Sequence, residues 1–209
     1  MIPEEIQAHF EGEVGEFRFA RWGRPIVPIV FGVDDATLSV VKGAIEAVVG
    51  LAGHSLSETD PEMGANLMVF FLRDWSELTG VPDIDQLIPE MAELLPRLEA
   101  RDANQYRLFR FESDGSIRAA FVFLRMDQAL AELPAETLAL SQIVQVILLW
   151  GSRAFAEISP LVRVAGAEVL RPEIAALIRA AYDPVLPGAT VDVSIAHRLF
   201  ARLGAANEP

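Results

Sequence analysis

The sequence predicts an α+β fold, and three observations carry it. Five short apolar or alternating runs read as strands. Five longer stretches carry apolar residues at helical spacing. Their order puts strands, a helix, more strands and a hairpin first, with the remaining helices gathered in the C-terminal half.

The first strand is "EFRFARW" (16–22), where Phe17, Phe19 and Arg21 share a face. "RPIVPIVFGV" (24–33) is the second. Pro25 and Pro28 lack amide donors, so this strand belongs at a sheet edge or starts irregularly. A helix follows, capped by Asp34 or Asp35, with Leu38, Val41, Ile45, Val48 and Ala52 on one face and Gly50 or Gly53 at its end. "NLMVFFL" (66–72) reads as a buried strand. Residues 83–100 place Leu87, Met91, Leu94 and Leu98 on one helical face, with Asp83 as cap and Pro89 and Pro96 as breaks or kinks. "QYRLFRFES" (105–113) and "SIRAAFVFLR" (116–125) are separated by Asp114-Gly115, a strong hairpin signal. Helices are expected at about 134–151, at 172–182 behind Pro172, and at 191–203. No linker divides the chain, so a single domain over 1–209 is expected, with 1–15 as an N-terminal extension and 16–203 as the core.

Composition narrows the function classes. The chain has 209 residues, 52% hydrophobic, which is ample for a core, and a formal net charge of −13. With one lysine, Lys42, and no basic run, nucleic-acid binding is disfavoured. The absence of cysteine excludes disulfides, thiol catalysis and cysteine metal sites. The acidic start lacks the basic and apolar stretches of a signal peptide, and no apolar run approaches the roughly 20 residues of a membrane span. A cytoplasmic protein that binds neither membrane nor nucleic acid is expected.

"ETLALSQIVQVILLWGS" (136–152) is the greasiest segment, yet Gln142 and Gln145 lie within it, three apart. Such a pair reads most simply as a polar stripe on a core helix, bonded to a neighbouring strand or to water.

Four segments carry a resemblance to a bacterial family of uncharacterised, predicted zinc-dependent proteases with a zincin-like fold. They are "RWGRPIVPIVFG", "ANLMVFFL", "DGSIRAAFVFLR" and "LIRAAYDPVLPGAT", in that order along residues 17–203. The resemblance implies a mixed, twisted sheet with helices packed on it. It also implies that the helix after the hairpin would hold a metal through an H-E-x-x-H motif or a weaker E-E-x-x-Q variant. In such a motif, residues at i and i+4 share a helix face and bind one ion, and the Glu between them acts as base. Here those places fall on Ser141, Gln142 and Gln145, with Gly151 downstream. An amide has no useful basicity near neutral pH, and serine and glutamine are feeble zinc ligands. The expectation is a zincin-like scaffold with no bound metal, no cofactor and no peptidase catalysis. Ser141, Gln142 and Gln145 mark its candidate cleft.

Other candidates read more simply as structure. His9, His54 and His197 are too far apart in sequence to form a local ligand pair. The carboxylates of "TDPE" (59–62) and "DID" (83–85) suit a polar loop and a helix cap. Phosphate-loop and G-x-S-x-G signatures are missing. Trp22, Trp75 and Trp150 read as core or interface anchors.

Three functions follow as expectations. The first is a non-catalytic protein that binds a protein or peptide, an extended peptide being held in the cleft by strand 116–125 and helix 134–151. The second is a hydrolase-type enzyme with a scattered acid/base site, in a pocket containing His54, His197 or paired carboxylates. The third is a structural homodimer.

Overall fold

The chain, described over residues 1–205 in a computed structural model, opens with a short helix. In order, the elements are α1 (Pro3–Ala8), β1 (Phe19–Ala20), β2 (Pro28–Phe31), α2 (Asp35–Ala52) and β3 (Leu67–Leu72). A 3₁₀ segment (Trp75–Gly80) leads into α3 (Ile84–Leu87), α4 (Met91–Ala100), β4 (Gln105–Phe111) and β5 (Ile117–Arg125). The rest comprises α5 (Gln128–Ala131), α6 (Ala135–Ile147), β6 (Leu161–Val164), β7 (Ala167–Leu170), α7 (Pro172–Ala181), β8 (Ala189–Thr190) and α8 (Ile195–Ala205). The class is α+β.

The main sheet has four strands in the order β2-β3-β5-β4. β2, β3 and β5 run parallel, and β4 closes the sheet antiparallel to β5. The parallel β2–β3 pair requires a crossover, which α2 supplies. Asp34 starts that helix by accepting from the Thr37 amide at 2.8 Å, and Gly53 ends it with φ of 65° in the left-handed region. Pro28 lies in an edge strand, as its missing donor requires.

Helices cover both faces of the sheet. One face packs Ile117, Ala120, Val122 and Leu124 against α2, α6, α7 and α8. The other packs Ala119, Phe121 and Phe123 against the 3₁₀ segment, α3 and α4. A central strand buried on both sides explains the nearly unbroken apolar run of β5. Ile6 and Phe10 lie fully inside the first core. Residues 1–15, expected as an extension outside the core, therefore contribute to it.

Several predicted elements shift. The expected first strand, 16–22, shortens to β1, which pairs with β8 instead of joining the main sheet. The expected helix 83–100 divides into α3 and α4 at Pro89, whereas Pro96 sits inside α4 on its exposed side. Asp83 adopts a positive φ of 57° and bonds the Gln86 side chain, so it caps no backbone amide.

The expected helix 134–151 ends early, at Ile147. Leu148 turns extended and bridges to Arg21, and the Leu149 amide donates to the Ala20 carbonyl at 2.9 Å. The orphaned carbonyls of the last turn are met by side chains from elsewhere. Trp150 Nε1 donates to Val144 O at 2.8 Å, Trp22 Nε1 to Val146 O at 2.8 Å, and Tyr182 Oη to Ile147 O at 2.7 Å. All three are aromatic anchors with a polar tip, which buried Trp and Tyr need.

The Ala-Asn step before β3 has a structural role of its own. Buried Asn66 accepts from the Val27 amide at 2.7 Å and donates to the Pro25 carbonyl at 2.9 Å, tying β2 to β3.

Candidate functional site

α6 lies against the sheet with Leu138, Ala139, Gln142, Ile143, Val144, Val146 and Ile147 buried. Gln142 is the one polar member of that set, and it reaches across to the edge strand β4. Its Oε1 accepts from Arg107 Nη2 at 2.8 Å, and its Nε2 donates to Gln105 Oε1 at 2.8 Å. Arg107 Nη2 also donates to Gln105 Oε1, at 2.9 Å. Three side chains from two elements thus close a hydrogen-bonded triangle. The partners of Gln142 are side chains of the neighbouring strand, where a strand carbonyl or water was expected.

Arg107 is the unusual member. Among the described residues no carboxylate comes within ion-pair range of it. Its Nε is enclosed without a partner. Burial lowers its pKa to about 10, since the charged form loses its hydration and gains no anion.

Ser141 and Gln145 do not join this triangle. Gln145 Nε2 folds back along its own helix to Ser141, donating to the carbonyl at 3.2 Å and to Oγ at 3.1 Å. The three places that would carry a metal motif are therefore split between two sets of internal hydrogen bonds. Gly151, the downstream place, makes a backbone contact: its amide donates to the His9 carbonyl at 2.8 Å, and a Cβ there would overlap the Glu11 backbone. Among the described residues no three His, Asp or Glu side chains gather as a metal-holding group.

Strand 116–125, expected to flank a peptide cleft, corresponds to β5 and is paired on both sides, by β3 and β4. It has no free edge to offer a peptide. Among the described residues the unpaired outer edges of the sheet belong to β2 and β4, and β4 is the one beside Gln142.

A cavity of about 810 Å³ lies elsewhere, between α1, the 11–15 turn, the 151–159 loop and the start of α7. It is lined by His9 with Glu5, Glu11, Glu13 and Glu173, and by Arg153 and Arg171. His9 packs edge-on to Trp150 at 5.9 Å, and burial lowers its pKa below 6.5 despite the opposing pull of Glu5. The histidines expected in a pocket are not here. His54 is half-buried, bonded through Nε2 to the Arg24 carbonyl at 2.8 Å and tilted against the Tyr182 ring at 5.2 Å, while His197 is exposed on α8.

The "TDPE" carboxylates form a structural knot. Asp60 is buried and accepts from the Glu62 and Met63 amides and from Arg24 Nη1 at 3.0 Å. Arg24 also contacts Glu112, and Arg118 contacts Glu62 at 2.8 Å, so every charge in the knot has an opposite neighbour.

Sequence reasoning overlooked Gln105 and Arg107. The signal was present, since both fall on the strand face shared by Phe109 and Phe111, where an alternating pattern calls for apolar residues. No helix among the described residues is long and apolar enough to cross a membrane. Comparison with known proteins returns no matching family model, no matching curated protein and no matching solved structure.

Proposed function

We propose that the chain is a zincin-like scaffold that acts as a non-catalytic binding protein, taking an extended peptide segment along the free edge of β4. The observation that carries this is the hydrogen-bonded triangle of Gln105, Arg107 and Gln142. It commits the would-be base position of α6 to holding β4, and an amide there takes no proton from water at neutral pH. β4 meanwhile keeps an outer row of backbone donors and acceptors with no partner strand among the described residues, the arrangement that strand addition uses.

The test is peptide selection from a displayed library, followed by hydrogen exchange on the complex. Protection concentrated in the β4 amides supports edge binding. Protection confined to other segments, or hydrolysis of the selected peptides, counts against it.

The groove around His9 favours a second reading, a hydrolase-type enzyme with a scattered acid/base set. A histidine kept neutral by burial, with carboxylates around it, is equipped to take a proton. Turnover of ester or amide substrates that disappears in His9→Gln while the fold persists would establish it. A homodimer remains the third proposal, checked by sedimentation.

A further inference from the structure

We propose that Arg107 anchors an acidic side chain of the peptide strand added to β4, so that the protein selects segments carrying Asp or Glu at that place. This rests on the edge-binding reading above and names the chemistry it recognises.

An unpaired cation with an enclosed Nε is unfavourable unless something completes it. The chain has 30 acidic residues against 17 Lys and Arg, yet the described residues bring no carboxylate to this guanidinium. Both glutamine contacts fall on Nη2, which fixes the plane of the group and leaves Nη1 without a hydrogen-bond partner among the described residues. A carboxylate there would make a charge-assisted hydrogen bond with a preoriented donor.

Register says where that carboxylate must come from. Residues directly opposite on adjacent strands point to the same face, so a residue added across from Arg107 meets it on the α6 side. Two places along, Phe109 presents an apolar neighbour on that same face, and Tyr106 and Leu108 present apolar surface on the other. Arg110, on that other face, is already paired with Glu90 at 3.0 Å. The recognised segment is thus one acid flanked by apolar residues, in extended form.

An inward-pointing charge on an edge strand can also serve only to block unwanted pairing, and the experiment separates the two roles. The probes are two blocked peptides of alternating Thr and Val, differing only in a central Glu or Gln, titrated into the intact protein. Anisotropy reads affinity, and NMR reads the Arg107 Nε–Hε signal and the β4 amides. The expected result is about tenfold tighter binding of the Glu peptide, with shifts at Arg107 and along β4. Arg107→Gln is expected to abolish the difference, although the peptide pair on the unaltered protein carries the test if that variant folds poorly. Equal affinity for both peptides with β4 amides shifted would overturn the acid anchor and leave edge binding standing. No binding of either peptide, or shifts confined to the His9 groove, would overturn both.

Discussion

Gln142 on α6 and Arg107 on β4 are joined side chain to side chain, with Oε1 accepting from Nη2 at 2.8 Å. This bond ties α6, the apolar helix that carries Ser141, Gln142 and Gln145, onto the edge of the sheet. Replacing Gln142 by Leu removes an acceptor from a buried cation and a donor from Gln105. The expected loss is about 1–3 kcal/mol of unfolding free energy in urea. An unchanged midpoint would show that the triangle contributes nothing to stability.

Two glycines should respond in opposite directions. Gly151→Ala drives a methyl into the Glu11 backbone and should destabilise by about 1–3 kcal/mol, loosening the N-terminal segment. Gly43 lies inside α2 with open space around its Cβ position, so Gly43→Ala should stabilise by up to about 1 kcal/mol. Thermal unfolding of both variants checks the pair.

Stability should fall on mild acidification. Burial holds His9 and His54 below the ordinary value of 6.5; Glu5 opposes the effect at the first, and the Arg24 carbonyl bond at the second. An unfolded histidine therefore takes its proton first. The stability these sites contribute is complete above about pH 6.5 and declines as pH drops through their lower folded values. Melting temperatures measured from about pH 7.5 to 5 should show the decline, with a flatter profile in His9→Phe.

A second, more acidic transition belongs to Asp60. Burial disfavours its charged form, but the Arg24 guanidinium and the Glu62 and Met63 amides outweigh that and hold it at about 2, below the ordinary 3.8. Its contribution is complete above about pH 4 and is lost as pH falls through about 2. Asp60→Asn should remove this step from an acid-unfolding curve. A curve identical to that of the unaltered protein would show that the knot does not couple to folding.

What the sequence revealed was what local chemistry decides. The Asp34 cap, the apolar β3 run and the Asp114-Gly115 hairpin each depend on residues close in the chain, and each appears where expected. Gly115 has φ of 87°, the conformation such a turn requires. The end of α6 was hidden, because Leu148–Trp150 continue the apolar run and the groups that stop the helix, Ala20, Trp22 and Tyr182, come from distant segments. The candidate site was half legible for the same reason. Gln142 stood out against its apolar helix, but its partners Gln105 and Arg107 lie 37 and 35 positions away on another element. The role of strand 116–125 was misplaced because periodicity cannot tell an inner strand from an edge strand, a distinction made only by β3 and β4 pairing on either side. β6, β7, β8, α1 and α5 went unpredicted; each is six residues or fewer, too short for a periodic signal.

The most direct measurement is a zinc titration of the purified, chelator-treated protein against a competing chromophoric chelator, repeated on Gln142→Leu. With the α6 amides engaged in hydrogen bonds to β4 and to their own helix, the expected result is no stoichiometric uptake by either protein. One tightly held zinc per chain, released by the Gln142 substitution, would contradict the account.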